Sequence, residues 1–67
     1  MPSDTHLTVD DRQLLRLHSE GMTSEAIART LNLSERTLRR RTRLLCDRLG
    51  VGTPIEAVVW AVRRDLI

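Results

Sequence analysis

Five arginines lie within eight consecutive positions of this 67-residue chain. They are Arg36, Arg39, Arg40, Arg41 and Arg43. A guanidinium group is planar and permanently charged, and its paired N–H donors match phosphate oxygens and the edge of guanine. Such a cluster indicates an anionic ligand that offers many acceptor atoms.

The net charge of the chain hides how strongly this positive charge is concentrated. All eleven basic residues are arginines, and the formal net charge is only +2. Residues 34–48 hold six arginines against Glu35 and Asp47, so this segment carries +4 and the remainder carries −2. A solvated helix face in an arginine-rich protein is the alternative interpretation, but the density of the cluster favours a surface that binds a polyanion.

Length and composition limit the other classes of function. The chain is long enough for one small domain, and its single cysteine, Cys46, cannot form an internal disulfide. It contains no apolar run of membrane-spanning length and no signal peptide, so we expect a cytoplasmic protein that does not contact membranes. It also lacks a nucleophile–base pair and a glycine-rich phosphate loop, so we expect no enzyme and no cofactor. His6, His18 and Cys46 do not have the spacing of a metal site. We expect His18 to be partly buried and hydrogen-bonded, and Cys46 to be a small hydrophobic residue at the edge of the core.

Hydrophobic periodicity and capping residues predict an all-α chain of four helices, over residues 8–20, 23–31, 34–49 and 53–65. The candidate N-caps are Thr8, Thr23, Ser34 and Thr53. Gly21 and Gly50 are placed to end the first and third helices. Residues 1–6 are predicted to form a flexible tail.

The third predicted helix has two different faces. Leu38, Leu45 and Leu49 fall within about 40° of one another on a helical wheel, which predicts that they face the core. Most of the arginines occupy a separate arc on the opposite side. Only Asn32 and Leu33 separate the second and third helices, and so short a connection favours a helix-turn-helix. In this motif the second helix lies in the major groove of DNA.

The chain resembles the LuxR/FixJ/GerE-type helix-turn-helix domain of bacterial transcription regulators. The matching positions, in order, are Leu7-Thr8, Asp11, Glu20-Gly21, Ile27-Ala28, Leu31, Ser34-Glu35-Arg36-Thr37-Leu38, Leu49-Gly50-Val51 and Ile55-Glu56-Ala57. The resemblance implies a tetrahelical domain over residues 7–67 with a recognition helix at about 34–49. It also implies binding to double-stranded DNA, often as the effector domain of a response regulator.

The resemblance and the helical wheel together suggest roles for individual residues. The residues expected to contact base edges are Arg39, Arg40 and Arg43. The residues expected to contact phosphates are Ser34, Arg36, Thr37 and Arg41. Asp47 stands where the family usually has a basic or polar residue, which argues against a DNA contact at the far end of the helix.

The fourth predicted helix has two apolar stripes. Ile55, Val58, Val59, Val62 and Leu66 form the stripe that we expect to pack on the core. Ala57, Trp60, Ala61 and Arg64 form the second, which suits a contact between two subunits. The resemblance implies a weak homodimer through this helix. The alternative is that Trp60 only covers the edge of its own core.

Other functions are compatible with a basic helix. A sigma-factor region-4-like module shares the helix-turn-helix, and RNA polymerase is a further candidate partner. The basic helix could instead bind another protein or an anionic surface, but this would require a free apolar face. Since Leu38 and Leu45 are predicted to be buried, we favour a sequence-specific DNA-binding domain in the bacterial cytoplasm, located at the nucleoid when bound.

Overall fold

A computed structural model describes residues 7–67, and the predicted tail at 1–6 lies outside them. The described chain contains four helices and no strand. They are α1 (Val9–Ser19), α2 (Ser24–Thr30), α3 (Glu35–Leu49) and α4 (Pro54–Arg63). The predicted all-α, four-helix class is therefore confirmed, with every helix within two residues of its predicted bounds.

Each helix begins at the capping residue predicted from the sequence. A hydroxyl oxygen at each start accepts a hydrogen bond from the backbone N–H three residues later. These N-caps are Thr8, Thr23, Ser34 and Thr53. At α1 and α4 the bond is reciprocal, because Asp11 and Glu56 accept from the N–H of their own N-cap residue. These local bonds fix where the helices begin.

The ends of α2, α3 and α4 share one backbone geometry. Gly50 takes a left-handed conformation after α3, as its position predicted, with φ of 74°. Asn32 and Asp65 do the same after α2 and α4, with φ of 59° and 60°. After α2 the N–H of Leu33 bonds to the carbonyl of Ala28 at 2.8 Å, which turns the chain sharply into α3. The turn of the helix-turn-helix thus depends on the left-handed conformation of Asn32, which the sequence did not predict.

The core is built from one face of each helix. Leu38 is 1% exposed and Leu45 2% exposed, and Leu49 lies beside them, so the predicted buried face of α3 is confirmed. Leu14 and Leu15 of α1 are also buried. Because the leucines of α3 are buried against the other helices, the opposite side of α3 is held outward in a fixed orientation.

The prediction for α4 is right for Val58, which is buried, and for Leu66, which packs partly on the core, but it is wrong for the other three residues of that stripe. Ala57 and Ala61 are 0% exposed and belong to the core. Ile55, Val59 and Val62, expected to be buried, are 41–64% exposed. Helix α4 packs mainly against α1, and small alanine side chains allow the two helix axes to approach closely. The inward side of α4 therefore combines Ala57, Val58 and Ala61, and neither predicted stripe faces inward as a whole.

Two polar or reactive residues of the sequence analysis lie in or beside the core. Cys46 is buried, as predicted, and burial, followed by the charges of Asp47 and Glu56, raises the pKa of its thiol. His18 is half-buried, but its Nε2 atom is buried without a hydrogen-bond partner among residues 7–67. The expected hydrogen bond of that nitrogen is therefore not found. Burial lowers the pKa of His18, because a charged imidazole loses its hydration there.

Truncating Leu45 tests the buried face of α3. Leu45→Ala should reduce the free energy of unfolding by about 2–5 kcal/mol, as other buried leucine truncations do. Leu44→Ala is the matched control, because Leu44 is the adjacent residue and is 55% exposed. It should change stability by less than about 0.5 kcal/mol. Thermal or urea unfolding followed by circular dichroism measures both values, and equal losses would contradict the assigned orientation.

The pKa of His18 predicts a pH dependence of stability. Its folded pKa lies below the ordinary value of 6.5, so the unfolded chain takes up a proton at higher pH than the folded chain. The contribution of neutral His18 to the free energy of unfolding should be fully present above pH 6.5 and should be lost as the pH falls below it. His18→Leu should remove that part of the dependence, which urea unfolding between pH 7.5 and 5.5 would measure. An unchanged pH profile in the variant would show that another group is responsible.

Candidate nucleic-acid interface

The outward side of α3 presents the arginine cluster to solvent. Every one of its five members is exposed. None forms an ion pair with any residue of 7–67, where the observed pairs are Arg29–Glu25 and Arg48–Asp11. Like-charged side chains at this density repel one another, and no ion pair within the described residues offsets this repulsion. The surface is therefore electrostatically complementary to an anion with repeated charges.

The arginines differ in where they lie around the helix. Arg36, Arg40 and Arg43 follow one line directly away from the core, at spacings of four and three residues. Arg39 lies to one side of this line. Arg41 lies on the other side, on the wall of a cavity of about 370 Å³ between α1 and α3. Asp10 and Asp11 line the same cavity, so Arg41 shares it with two acidic residues of α1.

The first turn of α3 adds neutral donors beside the cluster. The Ser34 hydroxyl oxygen accepts from the backbone N–H of Thr37 at 3.0 Å. The same hydroxyl donates to Thr37 Oγ1 at 3.0 Å. The Thr37 hydroxyl hydrogen is left to donate to a ligand, whereas that of Ser34 is already used. Free backbone N–H groups and the positive end of the helix dipole also favour an anion here.

Arg48 has a different role from the other arginines of α3. Its guanidinium donates to Asp11 Oδ2, the same carboxylate oxygen that closes the capping box of α1. This pair joins the last turn of α3 to the first turn of α1. No local pattern could have revealed the contact, because the two residues are 37 positions apart. Arg48 is thus committed to the fold and is not a free cation of the surface.

Two further residues of the outward side were not expected to contribute. Leu44 is one of the exposed large hydrophobic residues and lies beside the line of arginines. Asp47 is exposed and continues that line toward the end of α3. The outward side of α3 is therefore basic but not uniformly so.

The residues expected at a subunit contact are only partly accessible. Ala57 and Ala61 are core residues, so their side chains cannot meet a second subunit while the domain is folded. Trp60 packs partly on the core, and the Arg64 guanidinium lies 4.1 Å from the centre of its ring. The exposed side of α4 instead carries Ile55, Val59 and Val62. Ile55, Val59 and Trp60 line a shallow cavity of about 500 Å³.

Two other kinds of site are absent from the described part of the chain. Among the helices formed by residues 7–67, none has both the length and the apolar character needed to cross a membrane. No three histidine, cysteine, aspartate or glutamate side chains in this range are grouped so as to hold a metal ion.

The fold and the basic outward face agree with the comparison to known proteins. The family model for bacterial regulatory proteins of the luxR family matches residues 5–61. The chain is also 32% identical to the transcriptional regulatory protein YdfI of Bacillus subtilis (strain 168) over 65 residues, which cover 97% of this chain and 30% of that protein. The chain therefore spans about 30% of the length of this relative. No solved structure matches. The chain belongs to the luxR family of bacterial regulatory proteins, and its matched residues correspond to the DNA-binding domain of a transcription regulator.

Proposed function

We propose that this domain binds duplex DNA sequence-specifically, with α3 lying in the major groove. The observation that carries the proposal is the division of α3 into two faces. One face is buried through Leu38 and Leu45, and the other holds five exposed arginines without an ion pair in residues 7–67. A helix of this width fits the major groove, where guanidinium groups reach both base edges and phosphates.

The proposed contacts follow the position of each side chain. Arg39, Arg40 and Arg43 lie near the middle of α3, and we assign them to base edges, guanine being the preferred partner of arginine. Arg36, Arg41 and Thr37 are assigned to phosphates, with the free hydroxyl of Thr37 as a neutral donor. Ser34 supports this contact indirectly, because its hydroxyl caps the helix and donates to Thr37.

Binding rather than catalysis is the proposed activity, and it would take place in the bacterial cytoplasm at the nucleoid. The match to the luxR family favours this proposal over a sigma-factor module. A surface-inserting helix would need a continuous apolar face, but on the outward side of α3 Leu44 is the only large hydrophobic residue that is exposed. We further propose that this domain acts within a longer regulator, as the length of its relative suggests. In such a protein an effector module would control DNA binding, and the regulator would contact RNA polymerase.

We also propose a weak homodimer through the exposed side of α4. Ile55, Val59 and Val62 follow one another at four and three residues, as in a helix that packs along another helix. Two such domains would place two α3 helices on half-sites related by a dyad. This surface replaces the one expected around Ala57 and Ala61, where substitution by glutamate would place a carboxylate in the core.

Separate substitutions of the arginines test whether α3 reads sequence. Arg39→Ala and Arg43→Ala should each weaken binding to the preferred site by about 1–3 kcal/mol and relax the preference at one or two base pairs. Arg41→Gln should weaken binding to all sequences alike and flatten the slope of log affinity against log salt by about one. Binding-site selection from random duplexes, followed by salt titration, measures both effects.

Arg48→Gln is the matched control for the salt titration, since it removes an arginine of the same helix whose charge is already paired with Asp11. It should leave the slope unchanged. Equal affinity losses with one unchanged base preference in Arg39→Ala, Arg43→Ala and Arg41→Gln would show that α3 is only an electrostatic contact.

The dimer is tested with matched valine substitutions. Val59→Glu should abolish cooperative binding to a paired site and leave binding to a single half-site intact. Val9→Glu is the control, because Val9 is an exposed valine on α1. Gel-shift titrations on single and paired half-sites compare them. If Val59→Glu retains cooperativity, the exposed side of α4 is not the interface.

A further inference from the structure

Asp47 belongs to a straight stripe of exposed residues along α3. Arg36, Arg40, Arg43 and Asp47 follow one another at spacings of four, three and four residues, and all are exposed. At 100° per residue their directions agree within about 60°. The stripe is about 16 Å long, which is the length of about five base pairs along a groove. Any duplex that contacts the arginines along this line also approaches Asp47.

A carboxylate at this position is unfavourable for two independent reasons. Asp47 lies in the last turn of α3, where the negative end of the helix dipole disfavours an anion. It also lies on the face that attracts polyanions. No ion pair within residues 7–67 compensates for this, and Arg43, four residues earlier, stands in the less favourable order for a helical pair. Neither the stability of the helix nor general attraction to DNA explains the residue.

One contact in the major groove is favourable for a carboxylate. Cytosine presents its N4 amino group there, and aspartate or glutamate accepts a hydrogen bond from it. We propose that Asp47 is a specificity-determining residue that accepts from the N4 amino group of a cytosine. The proposal rests on the proposed function of α3 and replaces the expectation from sequence that the far end of the helix makes no DNA contact.

The spacing along the helix predicts where the cytosine lies. Asp47 and Arg43 are separated by four residues, or about 6 Å of helix. Since base pairs are stacked about 3.4 Å apart, the cytosine should lie within about two base pairs of the position read by Arg43. Guanine and thymine present only acceptor atoms or a methyl group there, and the N6 amino group of adenine stands beside the N7 acceptor. The Asp47 carboxylate is therefore less well paired with these bases and is repelled by a phosphate, so the residue also disfavours incorrect sites.

Binding-site selection with the full chain tests the proposal, using the parent, Asp47→Asn, Asp47→Ala and Glu20→Gln. Glu20→Gln is the matched control, because it removes one exposed carboxylate from the end of α1, away from the stripe. The parent should select cytosine at one position by about tenfold or more. Asp47→Ala should lose this preference. Asp47→Asn should lose it and gain adenine, because a carboxamide pairs with the adenine edge. Glu20→Gln should select the same sequences as the parent.

Three results would overturn the role of Asp47. A uniform gain of affinity with unchanged base preference in both variants would mean that the carboxylate only repels phosphate. Loss of a guanine preference instead of a cytosine preference would mean that it only orients Arg43. A parent selection without a cytosine position near that guanine would exclude the contact. Arg40→Ala distinguishes these outcomes from failure of the proposed function, since unchanged affinity in that variant would mean that the outward side of α3 does not contact DNA.

Discussion

The burial of one face of α3 is the interaction on which the rest of the domain depends. Within the arginine cluster, four pairs of like charges stand three or four residues apart, and each costs an isolated helix about 0.2–0.5 kcal/mol. Together they oppose helix formation by about 1–2 kcal/mol. Burial of Leu38 and Leu45 contributes about 1.5–3 kcal/mol for each side chain. Packing therefore outweighs repulsion, and the helix can carry charges that it could not hold in isolation.

Features with a local cause could be predicted from the sequence. Each N-cap uses a hydroxyl and an N–H three residues apart, so Thr8, Thr23, Ser34 and Thr53 were recognisable from residue type and spacing. The same holds for the buried leucines of α3, since the arginines leave only one face apolar. The left-handed turn at Asn32 was missed because asparagine adopts this conformation far less regularly than glycine.

Features that depend on distant contacts could not be predicted in the same way. Helix α4 is apolar on both sides, so periodicity alone could not decide whether Ala57 or Val59 faces inward. The orientation depends on how α4 packs against the other helices, mainly α1. The pairing of Arg48 with Asp11 likewise requires the fold to bring two turns together. Within the proposed interface, the sequence identified the cluster, while the structure showed that the neighbouring Arg48 is paired with Asp11 and that Asp47 is exposed in line with the cluster.

The packing of α1 on α4 has a consequence for how fast the domain folds. The turn between α2 and α3 joins elements that are adjacent in the chain, so this unit needs only short loops to close. The contact between α1 and α4 must instead close a segment of more than thirty residues. Loop closure of this size costs about 3 kcal/mol of chain entropy, plus a constant. Because contacts between distant parts of a chain slow folding, we expect the meeting of the first and last helices to limit the folding rate more than the helix pair proposed to contact DNA does.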